Sequence, residues 1–224
     1  MIAIAIDGPS GAGKSSIARK MAEKMGYIYV DTGAMFRALG LKFLKNNVSV
    51  EDIETVKKIL SDTTVDIAFR DGEQRVILDG VDVSDDIRTP EVSSAASKFS
   101  AISEVRLHLL DMQRNLAKNN NVIMDGRDIG TVVLPNADIK IFLTASAEER
   151  AQRRYRELIE KGQDVKYEDV LADMKKRDYD DSHRAVAPLK RADDAVDIDT
   201  TGNSLEESVE MLYEFIKSKG AKPL

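Results

Sequence analysis

MIAIAIDGPSGAGKSS, residues 1–16, is the stretch whose reading decides the fold. Met1 to Ile6 is a short apolar run of the kind that forms a strand buried on both faces, and Asp7 and Gly8 break it. Gly8 to Ser15 then fits G-x-x-x-x-G-K-[ST] at every fixed position. Gly8, Gly11 and Gly13 let the backbone curl until successive N–H groups point at one anion. A helix beginning near Lys14 adds its positive dipole end. Lys14 then reaches the outer phosphates of a nucleotide, and the Ser15 hydroxyl ligates Mg²⁺. A plain glycine-rich turn is the bland alternative. Both flanks favour the phosphate loop, since a strand precedes it and an amphipathic segment, Ser16 to Met25, follows.

Composition narrows the chemistry. The chain has 224 residues, 42% of them apolar and 32% charged, which suits a helix-rich α/β protein of one domain with insertions or two small domains. Having no cysteine, it has no disulfides, thiolate metal sites or cysteine nucleophiles. Two histidines, His108 and His183, are too few for a histidine-built metal centre. A net charge of −6 argues against broad nucleic-acid binding. Asp7 ends the first apolar run too early for a signal peptide, and no stretch approaches membrane-spanning length. The expectation is a cytoplasmic protein.

Outward from the loop, Tyr27 to Val30 reads as a second strand leading into DTGAMFR (Asp31 to Arg37) and a helix to about Asn46. Ser49 is expected to cap a helix through about Leu60. Val65 to Phe69 and Val76 to Leu78 flank Asp71-Gly72, a hairpin signal, and Val81 to Val83 is a candidate third strand. This antiparallel patch looks like an insertion among helices. Helices are expected over Glu91 to Lys98 and Glu104 to Lys118. Val122 to Met124 is another buried strand, ending in DGRDIG (Asp125 to Gly130), and Ile139 to Leu143 is the next. A charged helical hairpin runs from Ala147 to about Asp181. Ala195 to Ile198 and Ser204 to Lys217 supply a last strand and helix. Strands alternating with helices imply a parallel sheet covered on both faces, with ligands at the strands' carboxyl ends. The phosphate loop, DTGAMFR and DGRDIG all follow such strands, so they are expected to converge on one rim.

Arginines gather in these segments. Arg37 and Arg127 stand just past strand ends, Arg177 and Arg184 lie in or beside these segments, and Arg106 is on a helix leading toward one of them. A guanidinium grips phosphate through two parallel N–H groups. Arg150, Arg153 and Arg154 form a second cluster, part of which ordinary helix pairing with Glu149 and Glu157 explains. Asp125 can hold Mg²⁺ or its waters, or can simply cap its strand. Phosphoryl transfer fits this inventory, because it needs positive charge and in-line positioning rather than a covalent nucleophile.

GPSGAGKSS, DTGAMFR, DGRDIGTVV, KIFLTAS with the following EER, and RDYDDSHRAVAP (Arg177 to Pro188), in this order, closely resemble bacterial cytidylate kinases. The likeness runs from the first strand to the last helix. It implies a nucleoside monophosphate kinase fold: an α/β core of five parallel strands flanked by helices, a monophosphate-binding insertion with a small antiparallel sheet, and a helical lid. The core would cover about residues 1–60, 104–149 and 182–224, the insertion about 61–103 and the lid about 150–181. By matching positions, Lys14 and its loop (Gly8, Pro9, Ser10, Gly11, Ala12, Gly13, Ser15, Ser16) would hold ATP, with Arg153 and Arg154 closing from the lid. Thr32, Arg37 and Arg127 would hold the acceptor's phosphate. Ser97, Arg106 and Asp128 would contact cytosine. Arg177, Asp181 and Arg184 would line the sugar and transfer region. Phe36 stands where a tyrosine is common, and Thr32 replaces the serine of some relatives.

The resemblance thus implies ATP-dependent conversion of CMP, and dCMP, to the diphosphate with Mg²⁺. It implies a monomer acting on small nucleotides, with no nucleic-acid or membrane partner. One rival is the same fold serving another monophosphate such as UMP. A rival of another class is a GTPase-like switch. Such proteins read guanine with N-K-x-D, which this chain lacks, although Asp125 to Gly130 contains their D-x-x-G.

Overall fold

Ile4, Ala5 and Ile6 have no exposed surface at all, so the first apolar run does form a central strand, β1 (Ala3–Asp7). Asp7 belongs to that strand rather than breaking it, a correction with consequences at the site. The computed structural model describes residues 1–70 and 72–224. It divides into two compact units, Met1–Tyr29 with Asn120–Leu224, and Val30–Asn119.

The first unit carries the parallel sheet. Its strands are β1, β2 (Ile28–Asp31, whose first two residues fall in this unit), β6 (Val122–Gly126), β7 (Ile139–Thr144) and β8 (Val196–Asp199). Their order is β2-β6-β1-β7-β8. β1 pairs in parallel with β6 on one side (Asp7 opposite Gly126) and with β7 on the other, and β7 pairs in parallel with β8. The chain leaves β1 toward one side of the sheet and returns to build the other, so the strand order reverses at the carboxyl end of β1. Ligands of open α/β sheets sit at that reversal. Helix α1 (Lys14–Met25) buries Ile17, Met21 and Met25 on one face, and α8 (Leu205–Ser218) buries Leu212 and Ile216. With Ile6, Ile123 and Leu143 from the strands, these make one core. Helices α6 (Ala147–Glu160) and α7 (Tyr167–His183) form the expected hairpin around a smaller cluster of Ala151, Leu158, Val170 and Met174.

The second unit contains α2 (Thr32–Lys45), α3 (Ile53–Ser61), the antiparallel sheet β3 (Val65–Arg70), β4 (Glu73–Leu78) and β5 (Val81–Asp82), then α4 (Pro90–Phe99) and α5 (Ser103–Asn119). β3 and β4 pair in antiparallel register from Val65 opposite Leu78 to Arg70 opposite Glu73, as the hairpin signal implies. Gly72 adopts φ 78°, while Asp71 of that signal lies outside the described residues. The unit has its own core, centred on Phe43 stacked against Phe99 at 4.3 Å.

One cap differs from expectation. Asp52, not Ser49, caps α3, its carboxylate accepting the Thr55 N–H at 3.1 Å, while the Ser49 hydroxyl donates to Glu51. The buried face of α3 begins only at Val56, so the residue directly before Ile53 is the one that meets the first free N–H groups. Among the described residues no helix is long and apolar enough to cross a membrane.

Candidate active site

The loop after β1 has the conformation its glycines predict, with Gly11 at φ 74° and Gly13 at φ 83°, and α1 starts at Lys14. Lys14 is buried, and its Nζ donates to the Pro9 carbonyl at 2.7 Å, closing the loop on itself. Burial, then the nearby Arg127 guanidinium, pushes the ammonium down to about 7, against the pull of Asp125 and Asp7. Ser15 is exposed at the first turn of α1, and its hydroxyl donates to Asp125 Oδ2 at 2.8 Å. The Tyr29 hydroxyl donates to the other oxygen of Asp125 at 2.9 Å. Asp125, buried on β6, thus faces the loop directly and is no mere strand cap.

Asp7 has a separate task. Its two oxygens accept the N–H groups of Ile129 and Gly130, each at 2.7 Å, where DGRDIG turns through a single π-helical stretch, Ile129–Val133. Burial pushes the carboxyl up to about 6, opposed by those two bonds. Asp7→Ala is expected to cost on the order of 3 kcal/mol or more, because two buried N–H groups lose their acceptors together. A carboxyl whose pKa is higher folded than unfolded contributes stability that is lost as pH rises from about 4 through 6. The penalty of Asp7→Ala, read as a fall in Tm, should therefore be larger at pH 4 than at pH 7.

Four expected site residues meet in one network. Arg127 Nε donates to Asp181 Oδ2 at 2.9 Å. Arg184 lies 3.8 Å from the other oxygen of Asp181 and 3.6 Å from Asp128 Oδ1. The Arg184 Nε also donates to the Ala187 carbonyl at 2.7 Å, and the Asp181 carbonyl accepts the Leu189 N–H, so the RAVAP stretch folds back over the end of α7. Asp128, Asp181 and the Arg184 side chain are nearly enclosed. The two carboxylates hold the guanidiniums in place. Arg177, half-buried on α7, acts on Lys14 through its charge.

The hairpin arginines divide. Arg153 donates to Glu149 and to the carbonyls of Thr200 (3.2 Å) and Asn203 (3.4 Å), so it faces the β8–α8 connection. Arg154 pairs with Glu157 at 2.8 Å on the surface. Arg150, which had only its place in a cluster to recommend it, is buried and bonds to the loop itself: its Nη1 donates to the Ser10 carbonyl at 2.8 Å. Arg150 and Asp178 were not legible as site residues, although Asp178 lies inside the RDYDD run that drew attention to Arg177.

In the second unit, Asp31 organises the DTGAMFR turn. Its carboxylate caps α2 by accepting the Ala34 N–H at 2.8 Å and pairs with Arg37 Nη2 at 2.9 Å. The Arg37 Nε is buried with no hydrogen-bond partner among the described residues. Gln74 of β4 holds the Asp31 peptide from both sides, accepting its N–H at 2.8 Å and donating to its carbonyl at 3.1 Å. Sequence reasoning gave Gln74 no part, since a lone glutamine in a strand carries no signal. Thr32 is buried at the start of α2. Arg106, on α5, donates to the Ser100 carbonyl at 3.0 Å, and its guanidinium lies 5.1 Å from the centre of the Phe36 ring. Ser97 lies half-buried on α4, its carbonyl accepting the Ser100 hydroxyl. His183 stacks on Tyr179 at 3.9 Å on the surface of α7.

A family model described as cytidylate kinase matches residues 4–218. A cytidylate kinase of Caldicellulosiruptor bescii is 55% identical over 222 residues, covering 97% of this chain and 98% of its own length. A cytidylate kinase of Carboxydothermus hydrogenoformans is 51% identical over 216 residues, with 96% and 97% covered. Among solved structures, a protein of Eubacterium ventriosum superposes with a TM-score of 0.54 at 15% identity, over 97% of this chain and 99% of that one, a likeness of fold alone. Matched by one family model from its first strand to its last helix, and identical to two of that family's members at half of its positions, the chain belongs to the cytidylate kinase family.

Proposed function

We propose that this protein phosphorylates CMP, and with it dCMP, at the expense of ATP, by direct in-line phosphoryl transfer. The observation that carries the chemistry is the phosphate loop in one unit with the Arg127–Asp181–Arg184–Asp128 network: a cradle for a triphosphate and fixed guanidiniums for a phosphoryl group in flight. The acceptor's identity rests on the family, whose members named above are cytidylate kinases.

Within the loop Gly8 to Ser16, the backbone N–H groups from Gly11 onward bind the ATP phosphates, and the Lys14 ammonium neutralises charge that grows on the outer oxygens as the bond to the leaving group stretches. Arg127 and Arg184, oriented by Asp181, stabilise the transferred group. Magnesium suits the hard oxygens of Ser15 and Asp125, which approach to 2.8 Å; one carboxylate and one hydroxyl leave the remaining positions to water and phosphate. Bound there, the ion offsets phosphate charge. Arg153 holds the Thr200 and Asn203 carbonyls with Nη2 while its Nη1 lies 3.9 Å from where a Cβ on Gly13 would sit, beside the loop, and Arg154 has only a surface partner to give up. In the second unit, Thr32 and the free Nε of Arg37 take the acceptor phosphate, while Ser97 and Arg106 take the base. Asp128 is an acceptor and Arg106 a donor, which suits the amine and ring nitrogen of cytosine and opposes the pattern of uracil. The reading includes the division into core, insertion (about 61–103) and lid (about 150–181), and a monomeric, cytoplasmic enzyme.

A coupled assay over a panel of monophosphates tests it. ATP consumption is expected to rise steeply with CMP and dCMP, far less with UMP, and to need Mg²⁺. Equal stimulation by UMP would replace the acceptor assignment, and slow hydrolysis of nucleotide indifferent to any monophosphate would favour a switch.

A further inference from the structure

The apex of the phosphate loop is gripped by two side chains of the α6–α7 hairpin. Arg150 Nη1 donates to the Ser10 carbonyl at 2.8 Å, and Asp178 Oδ1 accepts the Ser10 N–H at 3.2 Å. The two side chains are themselves paired, Arg150 Nη1 to Asp178 Oδ2, at 2.6 Å. The guanidinium is anchored at its other end, where Nε donates to the Ala145 carbonyl at 2.9 Å, just past β7. Ser10 therefore has both of its backbone polar groups tied to residues 140 and 168 positions away. The hairpin also closes sterically on the next residue: a Cβ on Gly11 would lie 2.4 Å from Met174 Cε and 3.4 Å from Arg150 Cβ.

A loop of this kind binds an anion only while successive peptides keep their N–H groups turned toward one point. Gly11 and Gly13, both at positive φ, make that orientation easy to lose. Fixing the two peptide groups that flank Ser10 removes part of the ordering cost that ligand binding would otherwise carry. The contacts run to the backbone of Ser10 and not to its hydroxyl, so the grip reads loop conformation rather than side-chain identity.

We propose that Arg150 and Asp178 are positioning residues for the phosphoryl donor: together they hold the backbone on both sides of Ser10 so that the loop is set for a nucleoside triphosphate, and they make donor affinity depend on how the hairpin is seated. The inference rests on the reading of ATP as donor and adds two residues that reading does not use.

The test is direct binding, with no turnover needed. MgATP and, separately, CMP are titrated calorimetrically into wild type, Asp178→Ala and Asp178→Asn, with melting curves alongside. Asp178→Ala removes the acceptor for Ser10 and the partner of Arg150, and is expected to weaken MgATP binding about tenfold or more while leaving CMP binding within about twofold. Asp178→Asn keeps an acceptor for the Ser10 N–H but not the charge, so an intermediate loss of about threefold is expected. Hydrogen exchange in a peptide spanning residues 8–16 should rise in the same order. Unchanged MgATP affinity in Asp178→Ala, or equal losses for MgATP and CMP, would overturn the assignment. If Asp178→Ala shows no cooperative melt, Asp178→Asn decides alone, and wild-type MgATP affinity in that variant overturns the proposal. Wild-type protein that fails to bind MgATP at all would instead strike at the kinase reading itself.

Discussion

Lys14→Met is expected to lower turnover by about a hundredfold or more and at the same time to raise the melting temperature near neutral pH. The first effect follows from losing a preorganised charge aimed at phosphate oxygens, a loss worth at least two powers of ten where such contacts have been removed. The second follows from burial. The ammonium is enclosed and held down to about 7, chiefly by lost hydration and then by Arg127. A lysine whose pKa is lower folded than unfolded costs stability wherever the unfolded chain would carry the proton; the cost is full below about pH 7 and fades as pH rises toward 10.5. Methionine fills similar space without that cost. A gain of about 2 °C or more is expected at pH 7, shrinking toward pH 10. Steady-state turnover and melting curves at the two pH values check both parts. A variant that loses turnover together with stability would mean that Lys14 props the loop mechanically through Pro9.

Gly8→Ala should fail for the opposite reason, through the fold. Gly8 adopts φ 150°, and a Cβ there would lie 2.0 Å from the backbone carbonyl oxygen of Leu143 on β7. No side-chain rotation relieves a contact with a main-chain oxygen of a paired strand, here near the carboxyl end of β7. Either β1 and β7 separate at their carboxyl ends or the loop takes another path. The expected cost is about 3 kcal/mol or more, a fall in Tm of roughly 6–12 °C for a chain of this size. Thermal melts of the variant measure it, and a Tm within about 2 °C of wild type would show that the loop relaxes away from β7. The two variants together separate the loop's chemistry from its packing.

The sequence by itself determined whatever depends on neighbouring residues. Gly8 to Ser15 carries its own function because the anion is held by consecutive backbone N–H groups, and the glycines that allow the curl lie inside the motif. The apolar runs at Ile4–Ile6, Val122–Met124 and Ile139–Leu143 announced a parallel sheet because such strands are buried on both faces. The hairpin of β3 and β4 was equally local. Partnership across the chain was not. Nothing near Asp7 in the sequence says that its carboxylate will hold Ile129 and Gly130, and nothing in RDYDD tells Asp178, which meets Ser10, from Asp181, which meets Arg127. Arg150 and Arg154 look alike in EERAQRR, yet one is buried against the loop and the other pairs on the surface. An ion pair or a buried hydrogen bond is decided by which side chains the packing of helices on a sheet brings within 3 Å. That packing is settled by apolar burial far from the charges themselves, so only the tertiary structure could assign the partners.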